Sequence, residues 1–367
     1  MKYDIGFLGG GQLARMSIQA AQRMGLTCLS LDAGANTPAS QVADAVVGQL
    51  NDPDAVAGVL RQCGRVTLEN EFIPALSVEA ALAIAGRGRE CLLPGTECLA
   101  TVQDKLLQRK AYQRSGVPSP LAVAITGDGA VAEVGFPMVL KARFGGYDGK
   151  GTRYAKDQQE FDKHKQDWSG GNWMAERFVQ FRRELAVMVC RSESQTLCFP
   201  TMETEQVGHV CDLVFPSGTD ASQVAVAAVE AVGGFGLFGV ELFEDQDGAL
   251  LVNEIAPRPH NSGHYTLDWG GVSQFEAHVR LVLGLPVPTP IGGEACMANL
   301  LGQAEEGDFR DGLRAAIGAD PGVFVHWYGK EEARPGRKMG HINAVGPDCR
   351  ARAVAARERF YAAWAAG

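Results

Sequence analysis

Residues 253–264 read NEIAPRPHNSGH and place a carboxylate (Glu254), a guanidinium (Arg258), two imidazoles (His260, His264), two amides (Asn253, Asn261) and a hydroxyl (Ser262) within twelve positions. Arg258 offers the planar fork that binds two phosphoryl or carboxylate oxygens at once and stabilises charge on a transferring group. Pro257 and Pro259 stiffen its placement. His260 and Asn261 add neutral donors and acceptors near the same point; for His264 the plainer alternative is a satisfied loop histidine. No cysteine pair or HExxH spacing accompanies the histidines, so the pattern is not that of a zinc site.

Upstream, Glu241 interrupts the apolar run FGVELF as Glu254 interrupts LLVNEI. The joining EDQDG contains Asp-Gly, a hairpin signal, so the two carboxylates are expected level with each other on paired strands. With Asn253 they form a set of hard oxygen donors suited to Mg²⁺, which bridges nucleotide phosphates. The alternative is that each neutralises a buried arginine such as Arg258.

In KARFGGYDGKG, residues 141–151, the glycines Gly145, Gly146, Gly149 and Gly151 let backbone N–H groups approach phosphate oxygens. The spacing narrowly misses a Walker A motif, because Lys150 is followed by Gly151 instead of Ser or Thr. The flanks PMVLKAR and GTRYA predict a hairpin over a triphosphate, with Lys141 adding a point charge; a plain glycine-rich hairpin is the other reading. YGKEEARPGRK collects Lys330, Arg334, Arg337 and Lys338, either for a phosphate-bearing substrate or as a solvated loop. Finally, GGGQLA satisfies G-x-G-x-x-A at Gly9, Gly11 and Ala14, and Asp32 closes the next strand. A nicotinamide-dependent enzyme is therefore a candidate, against a simple strand-to-helix turn.

The elements that must carry these residues alternate strand and helix over the first hundred positions, which predicts a parallel sheet covered by helices. One helix is expected over TVQDKLLQRKAYQRSG, then a β-rich, antiparallel unit with a short helix EFDKHKQDW, then the hairpin of Glu241 and Glu254. LGLPVPTP reads as a seam before further strands and an Ala-rich helix. At 367 residues, two or three domains are expected. The net charge of −9 argues against nonspecific binding of nucleic acid or anionic membrane. Nine scattered cysteines without a C-x-x-C pair, and no apolar run long enough to span a bilayer, indicate a cytoplasmic protein.

In this order, GGGQLARM, QDKLLQRK, GGYDGKG, AERFV with RRELAV, NEIAPRPHNSGH and HWYGKEEARPGRKMGH span nearly the whole chain. Together they resemble the ATP-grasp superfamily and, within it, the biotin-independent 5-(carboxyamino)imidazole ribonucleotide synthase family. The resemblance implies a mixed α/β (α+β) fold: an N-terminal Rossmann-like domain (1–100), an ATP-grasp domain (101–290) with a lid at about 118–180, and a small C-terminal domain (291–367) packed on the core. It implies ATP- and bicarbonate-dependent carboxylation of the exocyclic amine of 5-aminoimidazole ribonucleotide through carboxyphosphate, with ATP and Mg²⁺, no biotin, and a homodimer. Lys105 and Lys141 would contact ATP phosphates under Gly146, Tyr147, Asp148, Gly149, Lys150 and Gly151. Glu176, Arg177, Phe178 and Val179 would receive the adenine and Glu184 the ribose; Glu241 and Glu254, with Asn253, would hold Mg²⁺. Tyr147, Asp148 and Lys150 would also face the ribonucleotide, with Lys330, Arg337 and Lys338 on its phosphate. Arg258, with His260 and Asn261, would sit where carboxyphosphate forms.

Two places depart from the family pattern. ETEQVGH keeps Glu203 but carries Thr204 and Gln206 where relatives have Asn and His, and Lys150 stands where Arg is common, losing the fork. Competing readings are another ATP-grasp ligase, using formate or resembling biotin carboxylase, the dehydrogenase suggested by GGGQLA, and a non-catalytic nucleotide sensor.

Overall fold

The computed structural model describes residues 1–146, 149–168, 170–304 and 307–365. The N-terminal part alternates as expected: β1 (Tyr3–Leu8), α1 (Gln12–Arg23), β2 (Cys28–Asp32), β3 (Asp44–Val47), α2 (Pro53–Gln62), β4 (Cys63–Leu68), α3 (Ala75–Ala85) and β5 (Leu92–Leu93). Its strands are parallel in the order β3-β2-β1-β4-β5. Ile5, Phe7 and Leu8 are all buried, as both faces of a helix-covered parallel strand must be. Asp52 starts α2 by accepting from the Asp54 N–H, with Pro53 at the first helical position.

The expected single helix over residues 101–116 is two helices, α4 (Thr96–Gln103) and α5 (Lys105–Arg114). Asp104 breaks it: its backbone is extended, and its carboxylate accepts from the Leu106 N–H at 3.0 Å to start a new helix. A four-stranded antiparallel sheet follows over the residues expected as the lid, with β6 (Ala122–Ala124), α6 (Gly129–Val134), β7 (Met138–Ala142), β8 (Thr152–Ala155), α7 (Gln158–Lys163), α8 (Lys165–Trp168) and β9 (Trp173–Arg177), ordered β6-β9-β7-β8. The helix expected over EFDKHKQDW is the pair α7 and α8, broken at His164.

The remaining strands build one large antiparallel sheet: β10 (Phe181–Arg191), β11 (Thr196–Cys198), β12 (Met202–Val207), β13 (Val210–Pro216), α9 (Ser222–Ala231), β14 (Gly236–Asp245), β15 (Leu250–Ala256), α10 (Gln274–Val282), β16 (Ala295–Leu301), α11 (Phe309–Ala319), β17 (Val323–Trp327), β18 (Lys338–Val345) and α12 (Cys349–Trp364). The order is β15-β14-β10-β12-β13-β16-β18-β17, with β11 on β10. Leu213 and Val214 pair with Ala298 and Met297, so the C-terminal strands extend the core sheet by hydrogen bonds across the Pro-rich seam. Separate cores lie under α9, under α11 and α12, and inside the lid, where Phe161 meets Trp168 at 5.2 Å. Each such large apolar side chain, fully buried, contributes about 1.5–3 kcal/mol. Among the described residues no helix is long and apolar enough to cross a membrane, and all nine cysteines are free.

Candidate active site

Loops of the N-terminal sheet, the lid hairpin, the core sheet and the 330–338 segment line one cleft of about 1690 Å³. A site for one small ligand usually spans about 300–1000 Å³, so this cleft has room for a nucleotide and a second substrate.

At its floor Glu241 of β14 stands directly opposite Glu254 of β15, as the Asp-Gly hairpin predicts, and the register shifts immediately beyond them. Directly opposed residues of an antiparallel pair project on one face, so two carboxylates share one spot. Burial, then Glu254 and Glu184, push Glu241 up to about 7. Burial would raise Glu254 too, but Lys105, Lys141 and Arg109 outweigh it and hold its carboxyl below the usual range. Arg258 has Glu71 as its ion-pair partner, and the charge of Glu254 adds only a smaller support. Mg²⁺ fits this donor set, because it is commonly held by one or two carboxylates with substrate phosphates completing its shell.

Lys105 reaches the floor because of the helix break. As the first residue of α5 it donates its N–H to Arg143 O at 3.0 Å, Arg143 forks onto Asp104, and the Lys105 Nζ pairs with Glu254. One turn on, the buried Arg109 donates to Glu176 Oε2 at 2.7 Å and to Asn253 O at 2.6 Å. Lys141 donates to Glu176 Oε1 at 2.6 Å and Asn253 Oδ1 at 3.3 Å. Burial opposes the charge of Glu176, yet Arg109 and Lys141 hold it ionised, while burial draws the Lys141 ammonium down. The Glu176 carboxylate is thus engaged with Arg109 and Lys141, and Glu176, Arg177, Phe178 and Val179 all line the cleft. Arg109 was absent from the sequence reading; its signal was its place one helical turn beyond Lys105 in QDKLLQRK.

Glu184 lines the cleft beside Thr204 of β12, its pairing partner. Burial pushes it up to about 7, against a hydrogen bond from Gln206 and the charge of Lys141. Gln206, left out of the predicted site, therefore sits at it. In the lid hairpin, Gly149 and Gly151 have φ of +75° and +76°, and a Cβ on Gly149 would lie 2.8 Å from His209 Cβ. Gly146 and Lys150 line the cleft; Tyr147 and Asp148 lie outside the described residues.

Above the carboxylates Arg258 is gripped by Glu71 through two nitrogens, one at 2.8 Å. Burial disfavours its charge, but Glu71 more than compensates and raises it. Burial, Arg258 and Lys338 draw His260 down to about 3, so its ring is neutral. His260 Nδ1 lies 2.8 Å from Ser262 Oγ and 3.4 Å from Ser262 N, and its Nε2 lies 3.4 Å from Glu241 Oε1. Asn261 exchanges reciprocal amide bonds with Asn299 at 3.1 and 2.7 Å, so its amide positions the segment on β16. His264 is wholly buried with Gln274 Nε2 donating to its Nδ1 at 2.9 Å, but its Nε2 is buried without a hydrogen-bond partner among the described residues, so the plainer reading of a satisfied loop histidine holds for one ring nitrogen only. Glu69 and Glu71 were missed; the signal was acidic residues directly after the apolar strand RVTL.

The GGGQLA turn is engaged internally. Asp32 accepts from Gly10 N–H at 2.8 Å and Gly34 N–H at 2.9 Å, and Glu69 accepts from Leu13 N–H at the start of α1. The Gly10 and Leu13 amides of the turn and the acid that a dinucleotide would need are thus already bonded. Lys330, Arg337 and Lys338 line the same cleft, Lys338 near enough to His260 and Glu241 for its charge to act on both, with Lys330 Nζ donating to Lys338 O at 2.6 Å and Arg337 to Glu332 O at 2.8 Å.

Comparison with known proteins accords with this geometry. Residues 1–103 match the ribonucleotide synthetase preATP-grasp domain, 112–275 the ATP-grasp domain, and 295–355 the phosphoribosylaminoimidazole carboxylase C-terminal domain. The chain is 39% identical to N5-carboxyaminoimidazole ribonucleotide synthase of Synechococcus elongatus, covering 92% of this chain and 88% of that protein. It is 39% identical to phosphoribosylaminoimidazole carboxylase of Ogataea methanolica, over 95% of this chain but 68% of that longer protein. A crystal structure of the Aspergillus clavatus N5-carboxyaminoimidazole synthase with ADP and 5-aminoimidazole ribonucleotide superposes with a TM-score of 0.86 at 29% identity, covering 99% and 98% of the two chains.

Proposed function

The chain belongs to the N5-carboxyaminoimidazole ribonucleotide synthase family of ATP-grasp ligases, and we propose how its own residues perform the ATP-dependent carboxylation of 5-aminoimidazole ribonucleotide. The observation that carries the reading is the opposition of Glu241 and Glu254 beside Lys105 and Lys141, with Arg258 above them and Lys330, Arg337 and Lys338 across the same cleft.

ATP lies with its phosphates over the two glutamates, and Lys105 and Lys141 turn toward them under the lid glycines. Bound there, Mg²⁺ supplies charge neutralisation on the phosphate oxygens. Glu184 takes the ribose hydroxyls and the 177–179 backbone the adenine. Bicarbonate attacks the γ-phosphorus, giving carboxyphosphate and ADP, and Arg258 stabilises the charge on the transferring group. The carboxyl carbon passes to the exocyclic amine of the ribonucleotide and phosphate leaves. The basic 330–338 segment holds the ribonucleotide phosphate. The catalysis is positioning and charge stabilisation, without a covalent enzyme intermediate. The functional units are read as 1–100, 101–290 and 291–367, in a cytoplasmic homodimer that sedimentation would test.

The test is ADP release with Mg²⁺ and ATP, with and without bicarbonate and the ribonucleotide. Release that needs both supports the reading; turnover with formate and without bicarbonate removes the carboxylation step.

A further inference from the structure

Gln274 opens α10 and is fully buried outside the cleft lining, yet its amide is fixed by groups of unambiguous polarity. Its Oε1 accepts from His260 N–H at 2.9 Å, and its Nε2 donates to His260 O at 2.9 Å. A backbone N–H can only donate and a carbonyl only accept, so the amide orientation is set. The second Nε2 hydrogen goes to His264 Nδ1 at 2.9 Å. The Gln274 N–H in turn donates to Thr266 Oγ1, which donates to Gly263 O at 2.6 Å. Gln274 therefore grips both backbone polar groups of His260, its N–H and its C=O, as a neighbouring strand would.

His260 passes this on to the carboxylate pair. Its ring lies so close on β14 that a Cβ on Gly239 would come within 2.5 Å of His260 Cβ. Its Nε2 faces Glu241 Oε1 at 3.4 Å. The middle of α10 is tied to the N-terminal sheet, where His278 Nε2 bonds Thr67 Oγ1 at 3.0 Å on the strand that leads to Glu69 and Glu71.

We propose that Gln274 is a positioning residue for metal–nucleotide binding: by clamping the His260 backbone it fixes the imidazole that orients the Glu241 carboxylate. This rests on reading Glu241 as a cation ligand. Groups that orient ligands from behind typically change metal affinity 10–100-fold when lost.

The test is direct Mn²⁺ binding, read by electron paramagnetic resonance in the presence of a nonhydrolysable ATP analogue, on the whole protein and three variants. Gln274→Glu keeps the acceptor and shape but loses both donors. Gly263→Ala leaves the glutamine in place but drives a methyl to 2.5 Å from its Oε1, and serves if the first variant does not fold. Glu241→Gln removes the ligand carboxylate itself. Weakening of roughly tenfold in either of the first two, with a rise in the metal requirement and little change in the KM for the ribonucleotide, supports the role. Unchanged Mn²⁺ affinity in a folded Gln274→Glu or Gly263→Ala protein, with Glu241→Gln weakened, overturns the positioning role and leaves the metal reading standing. Unchanged affinity in Glu241→Gln overturns both.

Discussion

Arg258 and Glu71 form a two-nitrogen ion pair although 187 positions separate them, and it joins the loop after β4 to the segment that follows β15. Both side chains are about 15% exposed, so each is the other's main compensation for leaving water.

Arg258→Ala should therefore lose fold stability as well as turnover. Removing one partner of a buried pair costs roughly 3–5 kcal/mol. Loss of a charge-stabilising group lowers kcat on the order of 100- to 1000-fold. Adding Glu71→Gln should restore much of the stability and none of the rate. Urea unfolding and ADP release on the single and double variants separate the two; a double variant as unstable as the single one would refute the pairing argument.

Glu241 predicts an unusual pH dependence of stability. Its carboxyl sits at about 7 in the folded chain against an ordinary 4.5, so within that window the folded state keeps a proton that the unfolded state has released. Stability falls as pH rises through it, and the penalty is complete above about 7. At about pH 8, Glu241→Gln should be the more stable protein by on the order of 1 kcal/mol without metal, a gain that disappears by about pH 4. Denaturation curves at several pH values check this, and no gain at the alkaline end would contradict it.

Asp104 tests how Lys105 is placed. Asp104→Ala removes the cap of α5, worth about 1 kcal/mol, together with the partner of Arg143. Lys105 should shift and the KM for ATP rise roughly tenfold or more. Asp104→Asn keeps the cap and should lie between the two. An unchanged KM in Asp104→Ala would mean that the helix break does not place the lysine.

The residues that bear the chemistry were legible because their types are out of place locally: an acid inside FGVELF, four glycines beside Lys150, an arginine between prolines. The opposition of Glu241 and Glu254 was legible because a hairpin fixes register locally. Glu71 and Arg109 carried only slight local signs, because the partners that give them meaning lie 187 and 67 positions away and single-sequence patterns carry no such distances. The union of β16 with β13 was hidden for the same reason, since two open strand edges do not announce each other in sequence. The break at Asp104 did carry a local sign, an aspartate able to cap, but the helical pattern ran on through it.

Gly11 gives the last test, against the dinucleotide reading. A Cβ there would lie 2.2 Å from Glu69 Oε1, because the carboxylate occupies the space above the start of α1, held by Leu13 N–H and, at 3.1 Å, by Asn70 Nδ2. That occupancy predicts no NADH binding by the parent protein, read as unchanged nucleotide fluorescence on titration. It also predicts that Gly11→Ala displaces Glu69, destabilises the fold by about 1–3 kcal/mol and lowers turnover, since Glu71 follows two residues on and holds Arg258. Saturable NADH binding, or a Gly11→Ala protein of parental stability, would show that the turn is free to accept a ligand.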